Sequence, residues 1–411
     1  MSILKTFFLA FLMLMFIGSS HAATDSSRLQ VSLITCAPGA ELYSVFGHTA
    51  LRIVDSAANT DIIYNYGTFN FDDPDFYTKF VRGKLMYFLS QQSFPDFLYE
   101  YAYFKRGVTE QVLQLSSTEK KEIQHSLFEN VREENRYYKY DFLYDNCATR
   151  LRDIIFKTNQ NNAFEPPAFA KQGTSFRDYL HNYLSRAEMQ WTTLGIDLLL
   201  GIGADKTMTT PESMFLPDYL AQGVSLAVKG QSKLVERDQV HLPNAQDLPV
   251  KLPFWQTPLF FFAFLAFLVL LPSFFRSNAL ASFQSVMDRI IFVLSGLLGL
   301  LLLFMWFGTD HQSFANNINL VWAMPFNLLV AFSLNRSGKW LKTYIRFYSL
   351  LLLVLMIPVL LHPGIINFGL YPLIVVLSFR SWMLSKDEKN VKALVSTDTS
   401  LENLSFEKTK G

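Results

Sequence analysis

The apolar residues of this chain are concentrated in its last third, and this unevenness constrains the fold more than any other feature. From Phe254 to Leu384 almost every residue outside short gaps is apolar, whereas residues 24–255 have the mixed composition of a soluble domain. Only 17% of all residues are charged, against about 25% in ordinary globular chains. The sequence therefore predicts a membrane-embedded C-terminal part and excludes a purely soluble enzyme, a disordered scaffold and a fibrous repeat.

The apolar part contains five runs long enough to cross a hydrocarbon core, which takes about 20 residues. These runs predict a transmembrane bundle of about five helices within residues 256–384. The last run is the least regular, because Pro372 interrupts it, and the last two runs could alternatively form a re-entrant hairpin around 361–364. The five runs lie near residues 257–275, 290–307, 318–334, 344–361 and 365–384.

Lysine and arginine in the connections between these runs predict the orientation of the bundle. The connections 276–289 and 335–346 carry basic residues, whereas 308–317 and 362–364 carry none. Basic connections stay in the cytoplasm. The charge pattern therefore places residues 24–255 on the opposite, exported side.

The two ends of the chain fit the same orientation. Within residues 1–23, Lys5 precedes an apolar run that is followed by small residues, which is the pattern of a secretory signal peptide. An uncleaved membrane anchor is the alternative, and in both cases the following segment is exported. The tail 385–411 is polar and charged, so we expect it to be cytoplasmic and disordered.

Residues 24–255 have the length of one domain and predict an α+β fold, with strands first and helices later. The stretch 205–250 contains several prolines and polar residues and is predicted as loops that lead to the membrane. Alternating apolar residues predict the strands, and apolar residues at helical spacing predict the helices. The predicted strands are Leu29–Thr35, Phe46–Val54 and Ile62–Gly67, and the predicted helices include Ser117–Asn135 and Ala148–Lys157.

Several classes of function lack any signal in the sequence. The net charge is +1 and no basic patch alternates with aromatic residues, so nucleic acid is not an expected partner. Phosphate-loop, zinc-finger and GxSxG motifs are absent, and so is the spacing of metal ligands. We therefore expect neither a metal ion nor a cofactor.

Cys147 is the candidate nucleophile. Asp145 or Asn146 can cap the helix that follows, so Cys147 falls in the first helical turn, where free backbone N–H groups stabilise a thiolate. The chain has one other cysteine, Cys36. In an oxidising compartment a single Cys36–Cys147 disulfide is the alternative.

His48 is the candidate base. It lies in a predicted strand on the same face as Ala50 and Arg52, and Gly47 beside it allows another part of the chain to approach closely. The alternative is a histidine packed in the core. His125 and His181 are predicted as solvated residues on helices.

Asn65, on the next predicted strand, is the candidate that orients the imidazole. It could equally be a turn residue before Gly67. Aromatic side chains between the catalytic strands and the helix could provide an apolar cover that excludes water, with ordinary core packing as the alternative. These residues are Phe69, Phe71, Phe76, Tyr77, Phe80, Tyr87 and Phe88.

Several motifs, in the right order, resemble those of the Lnb-type family, lipoprotein N-acylation transferase B. The motifs are LITCAPGAELYSVFGHTALRI, YNYGTFNF, RYYKYDFLYDNCATRLRDII, SFRDYL, GIDLLLG and MFLP, with TDHQSFANNINLVW in the membrane part. The resemblance implies a circularly permuted papain-like domain, in which the histidine strand precedes the cysteine helix. It also implies His48 as base and Cys147 as nucleophile. Asn65 is an extension made from the residues.

The resemblance further implies transfer of an acyl chain from a glycerophospholipid to the N-terminal amine of a diacylated lipoprotein. The expected site is the bacterial inner membrane, with the catalytic domain in the periplasm. A membrane-anchored cysteine peptidase or amidase and an inactive membrane scaffold are the alternatives. Four residues of an exported loop are candidates for lining the lipid entrance, with helix capping and packing as the alternative: Asp310, His311, Asn317 and Asn319.

Overall fold

The computed structural model describes residues 28–157, 164–247, 249–275, 277–334, 338–361 and 364–386. The predicted signal peptide 1–23 and the predicted tail from residue 387 onward lie outside these residues. The described chain has an α+β part with a large sheet, followed by a helical part. This division agrees with the composition of the sequence.

A seven-stranded sheet organises the N-terminal part, with the strand order β6-β4-β3-β2-β1-β5-β9 and antiparallel pairing throughout. A separate hairpin joins β7 to β8. The strands are β1 (Leu29–Cys36), β2 (His48–Asp55), β3 (Thr60–Thr68), β4 (Met86–Ser93), β5 (Val108–Leu113), β6 (Tyr137–Lys139), β7 (Val228–Lys229), β8 (Ser232–Lys233) and β9 (Val235–Leu242).

Eight helices surround this sheet in the described residues. They are α1 (Phe76–Val81), α2 (Phe94–Tyr103), α3 (Ser117–Val131), α4 (Cys147–Lys157), α5 (Phe176–Arg186), α6 (Gln190–Leu199), α7 (Thr210–Ser213) and α8 (Pro217–Leu226). The three strands and two helices named from the sequence are present, with ends shifted by a few residues.

The two faces of the sheet bury different residues because side chains alternate along a strand. On one face Leu33 and Leu51 pack with residues of α3, α4 and α8. On the other face Ile34 and Ala50 pack with residues of α2. The sheet is therefore covered on both sides, and α4 lies on the face opposite α2.

The prediction of loops over 205–250 is wrong, because this stretch contains α7, α8 and β9. Pro211 and Pro217 lie in the first turn of their helices, where the missing N–H of proline costs no hydrogen bond. The strand β9 pairs with β5 at the sheet edge, and most of its residues are exposed and polar. An edge strand of this kind shows no apolar alternation in the sequence.

Among its described residues, the helical part contains three helices long and apolar enough to cross a membrane, over Ala279–Phe307, Lys339–Ile357 and Phe368–Lys386. A shorter apolar helical stretch covers Pro258–Phe274. The helices of this part are α9 (Pro258–Leu270), α10 (Asn278–Phe307), α11 (Asn327–Ser333), α12 (Lys339–Leu361) and α13 (Tyr371–Lys386). Five crossings remain a prediction.

The predicted run 318–334 is not one continuous helix. It consists of a 3₁₀ turn, Ile318–Val321, an irregular stretch and the seven-residue α11. The irregular backbone packs against α10 at Gly299, where an added Cβ would lie 2.0 Å from the Ala323 carbonyl oxygen. A glycine at this point allows the broken segment to pack directly on the long helix.

The segments that follow α10 and α12 contact the N-terminal part. Asp310 forms an ion pair with Lys139 (2.7 Å), and the Asn317 side chain donates to the Leu198 carbonyl (2.8 Å). After α12, the Asn367 side chain donates to Asp197 (2.7 Å). The segments that follow α10 and α12 therefore lie on the side of the N-terminal part, in the arrangement that the charge pattern predicts.

Candidate active site

Asn146 fixes the position of Cys147 at the start of α4. The Asn146 Oδ1 accepts hydrogen bonds from the N–H groups of Ala148 (2.8 Å) and Thr149 (2.9 Å). Its Nδ2 donates to the carbonyls of Phe142 (2.8 Å) and Phe215 (2.9 Å). The buried amide is thus the helix cap. Asp145, the other candidate cap, instead forms an ion pair with Arg150.

Burial raises the pKa of the Cys147 thiol to about 11, although the backbone N–H groups of Thr49, Ala148 and Cys147 itself act to lower it. The expectation of a thiolate at the helix start therefore needs correction. Loss of hydration outweighs the helix terminus, so the resting group at neutral pH is the protonated thiol.

Two glycines and a gap in the strand pairing bring the sulfur to the end of β2. Pairing of β2 with β3 begins at Leu51 and Tyr64, so Thr49 lies beyond it. Gly47 has φ +78°, and an added Cβ there would lie 2.9 Å from the Cys36 carbonyl oxygen. Gly67 has φ +90°, and its missing Cβ would lie 3.8 Å from the Cys147 Cβ. A side chain at either position would strain the backbone, because both glycines have a positive φ.

His48 and Asn65 are bonded to each other, with 3.1 Å between Nε2 and Oδ1. Because an amide oxygen only accepts, Nε2 carries the proton and Nδ1 keeps its lone pair. Burial lowers the pKa of His48 to about 4, against the opposing effect of Asn65. The imidazole is therefore neutral at pH 7, with Nδ1 able to accept a proton.

His48 and Cys147 are linked through the backbone of Thr49 at the end of β2, and the two residues belong to opposite faces of the sheet. By strand alternation His48 and Asn65 share the α2 face with Ala50, whereas Cys147 begins a helix on the opposite face. Among the described residues no direct hydrogen bond joins the His48 ring to the sulfur. The backbone N–H of Thr49, the residue after His48, is the group of β2 that lowers the pKa of the Cys147 thiol.

Cys36 is a neighbour of this site. It is the last residue of β1 and the register partner of His48. It is buried, and its side chain bonds with Tyr101, while burial raises the pKa of the thiol to about 12. Both cysteines are free, so the structure lacks the alternative disulfide.

The aromatic residues between strands and helix form a series of ring contacts that begins beside Cys147. Tyr140 stacks on Tyr87 with 4.4 Å between centroids, and Tyr87 contacts Phe69 at 5.4 Å. Phe69 contacts Phe76 at 5.8 Å, and Phe76 stacks on Phe80 at 6.2 Å. We call these five residues the aromatic ladder. Tyr140 itself lies 3.4 Å from the missing Cβ of Gly67.

The four loop residues join the two parts of the molecule instead of contacting Cys147. Asp310 pairs with Lys139, and the His311 ring bonds the carbonyl of Phe80 at 3.1 Å. Asn317 and Asn319 donate to carbonyls of α6 and the residues at its end. These contacts fit the alternative of capping and packing that the sequence left open for the four residues. His311 lies at the far end of the aromatic ladder.

Two histidines occupy sites that the sequence did not predict. His181, predicted as solvated, bonds buried Asp197 at 2.8 Å, and His241, assigned to a loop, bonds buried Glu110 at 2.6 Å. Arg177 in SFRDYL and Asp197 in GIDLLLG are the charged residues that could have indicated the site of His181. His241 gives no such local signal. His125 is part of α3, as predicted.

Comparisons with known proteins give two matches. The model of the Lnb N-terminal periplasmic domain matches residues 19–174, and that of the Lnb transmembrane domain matches residues 251–390. No curated protein and no solved structure matches the chain. A periplasmic domain therefore precedes a transmembrane domain, in agreement with the fold, and the first match includes both His48 and Cys147.

Proposed function

Because the chain belongs to the Lnb family, we propose that it is a thiol acyltransferase of the bacterial inner membrane. It moves an acyl chain from a glycerophospholipid to the N-terminal amine of a diacylated lipoprotein. Membership of the family supports a role in lipoprotein maturation. Two observations support the chemistry: Cys147 begins α4 close to the backbone of Thr49, the residue after His48, and His48 is bonded to Asn65.

In the first half-reaction the Cys147 sulfur attacks the carbonyl carbon of a lipid ester, and Nδ1 of His48 takes the thiol proton. The tetrahedral intermediate collapses with cleavage of the bond between that carbon and the glycerol oxygen. His48 returns the proton to this oxygen. The products are a lysophospholipid and a thioester on Cys147.

In the second half-reaction the lipoprotein amine attacks the thioester carbon, and His48 takes a proton from the amine nitrogen. The carbon–sulfur bond breaks, and the proton returns to the sulfur. An amide and the free thiol result, so ester plus amine becomes amide plus alcohol. Asn65 is the positioning residue that holds the imidazole with its proton on Nε2.

The protonation states suit a mechanism in which attack and proton transfer are coupled. The buried thiol is protonated and the imidazole is neutral at pH 7. A neutral base beside a protonated thiol removes the proton as the new bond forms, so no thiolate has to persist in an apolar site. When the ester bond breaks, the glycerol oxygen receives the same proton.

Transfer to an amine competes with hydrolysis of the thioester. Transfer to the amine prevails only where the site excludes water and holds the amine in attack geometry. Holding the amine in this geometry can lower the barrier by several kcal/mol. The aromatic ladder supplies apolar surface directly beside Cys147. The catalytic domain, in this proposal a permuted papain-like unit over residues 24–255, is joined to the bundle of 256–384, so both membrane-bound substrates stay within reach.

The test uses the purified full-length protein in phospholipid vesicles with a diacylated lipopeptide. We expect a triacylated lipopeptide and an equal amount of lysophospholipid by mass spectrometry. Cys147→Ala should form neither product, and Cys36→Ser is the matched control that retains activity. Free fatty acid without N-acylated peptide would contradict the proposal and indicate a phospholipase. Cleavage of the peptide would indicate the peptidase alternative, and no product at all would indicate the scaffold.

A further inference from the structure

Large apolar side chains are exposed on α1 and on the loop before it. Phe71 is 66%, Tyr77 79% and Phe80 50% exposed. Soluble surfaces rarely leave a group of large apolar residues in contact with water, and such patches mark contact with a partner or a membrane. We call Phe71, Tyr77 and Phe80 the aromatic surface.

The aromatic surface lies at the level where a membrane helix ends. The Asp310 N–H donates to the Arg82 carbonyl (2.9 Å), next to α1, and the His311 ring bonds the Phe80 carbonyl. Asp310 follows Phe307, the last residue of α10, by only three positions. A membrane-spanning helix of 30 residues ends close to the boundary of the hydrocarbon core, which sets the depth of α1.

The chemistry of this surface suits the boundary of a phospholipid bilayer. Tyrosine and other aromatic rings are favoured at the headgroup level, where one end is apolar and the other is hydrated. Arg82 and Lys84 are exposed beside the rings. The pKa of Asp310 is lowered, first by its bond with Lys139 and then by charges that include those of Lys84 and Arg82. Basic groups at this level attract lipid phosphates.

We infer that the aromatic surface is embedded in the outer boundary of the bilayer and accepts the acyl chain of the donor lipid. The aromatic ladder continues from Phe80 through Phe69 to Tyr140 beside Cys147, so an acyl chain has an apolar path between bilayer and sulfur. The path to Cys147 rests on the proposed function, whereas the contact with the bilayer does not.

The test compares two equally exposed tyrosines, since Tyr99 on α2 is 77% exposed. The photoreactive residue p-benzoylphenylalanine replaces Tyr77 or Tyr99 in the full-length protein, in vesicles of phosphatidylethanolamine and phosphatidylglycerol. After irradiation, mass spectrometry should find phospholipid attached at position 77 and several-fold less at position 99. Equal labelling, or none at position 77, would overturn the inference. The inactive Cys147→Ala variant should label identically, so failure of this inference is distinct from failure of the proposed function.

A second observation concerns the hydroxyl of Tyr138, which is buried and has no hydrogen-bond partner among the described residues. The residue is only 6% exposed. Leaving a buried hydroxyl unpaired lowers the stability of a fold. A native fold that retains such a group needs a reason for it.

The unpaired hydroxyl and Cys147 face the same gap. The Tyr138 oxygen lies 4.0 Å from the missing Cβ of Gly67, and the Cys147 Cβ lies 3.8 Å from that same point. The Arg150 guanidinium covers the Tyr138 ring, with 3.6 Å between Cζ and the ring centroid, and is itself held by Asp145. The ring is therefore fixed with its hydroxyl at the same gap as the Cys147 side chain.

The geometry points to Tyr138 as a further catalytic residue, whose hydroxyl donates to the carbonyl oxygen as that oxygen becomes negative. The inference rests on the proposed acyl transfer. The hydroxyl keeps its proton throughout, so the balance of the reaction is unchanged. A donor prepared for charge that appears only in the intermediate has no partner in the resting protein, as observed.

Two Tyr→Phe variants test this role. Tyr66 is equally buried, but its hydroxyl accepts a hydrogen bond from Asn130 (2.8 Å). Tyr138→Phe should lower kcat by about 10²–10³-fold with no loss of thermal stability, because it removes no bond of the resting protein. Tyr66→Phe should lower stability and preserve kcat.

A Tyr138→Phe variant with wild-type kcat would overturn the inference, and so would one whose loss of kcat is matched by Tyr66→Phe. Cys147→Ala is measured in the same assay. If Cys147→Ala still forms product, the proposed function has failed; if only Tyr138→Phe remains fully active, the role of Tyr138 alone has failed.

Discussion

The strand end around Cys147 and the surface that joins the two domains differ in how completely their buried polar groups are paired. At the strand end the Tyr138 hydroxyl has no partner among the described residues, and the Nδ1 of His48 keeps a free lone pair. At the domain interface the carboxylate of Asp197 is bonded by Arg177, His181 and Asn367.

This difference corresponds to two roles: the strand end carries the proposed reaction, and the interface holds the two domains together. Unpaired donors and acceptors cost stability but can bond a reacting group that is present only during turnover. A fully paired network contributes order and no reactivity. The Asp197 carbonyl also accepts from Asn319, so one residue of α6 bonds both the segment that follows α10 and the segment that follows α12. Changes in the two regions should therefore affect different quantities, activity in one and folding in the other.

The largest expected effect on stability is at the interface. Asp197→Asn removes the charge that pairs with buried Arg177, and loss of one partner of a buried ion pair costs about 3–5 kcal/mol. We expect about 3 kcal/mol, at the lower end of this range, because Arg177 keeps its bond with Asp205. Thermal unfolding in detergent measures the loss. Cys147→Ala is the control, and an equal loss there would remove the distinction between the regions.

The pH dependence follows from the two shifted pKa values. The neutral imidazole is the active form, so activity should be lost as pH falls through the pKa of His48, about 4. The thiol is active when protonated, so the rate should stay constant up to the region of pH 11, the pKa of Cys147. The rate of thioester formation, measured as lysophospholipid released in the absence of the acceptor amine, should thus be flat between about pH 5 and 9, since each pKa then lies at least one unit away. A fall centred near pH 6.5, the ordinary pKa of histidine, would contradict a desolvated His48.

A smaller effect on activity is expected for Asn65→Ala. The change leaves both reacting groups in place but removes the acceptor that holds the proton of His48 on Nε2. We expect kcat to fall by about 10–100-fold with little change in KM, less than the loss of a general base itself. Asn65→Asp, which keeps an acceptor oxygen, should recover part of the rate. No recovery would indicate that Asn65 acts through packing alone.

The smallest effect is expected for Cys36→Ser. The serine hydroxyl can keep the bond with Tyr101, and Cys36 contributes no reacting group in the proposed mechanism. Activity should remain at least partial. A complete loss with the fold intact would move Cys36 into the catalytic site and would break the contrast between the two cysteines.

The sequence by itself determined the features that depend on local pattern. The contrast between residues 24–255 and the apolar part divides the molecule, and the basic connections orient it, because membrane insertion responds to each segment in turn. The strand of His48 and the helix that begins at Cys147 follow from apolar spacing and a capping residue. These signals lie within about ten residues of the element they predict.

Only the tertiary structure decided the features that depend on distant parts of the chain. The bond of His48 with Asn65 and the protonated state of Cys147 depend on strand register and burial, which no local pattern contains. The break within 318–334 depends on close packing against Gly299, and the contacts of Asp310 and Asn319 depend on how the domains meet. Hydrophobicity acts along the chain, whereas a buried polar group acquires its partner and its pKa only when remote segments pack around it.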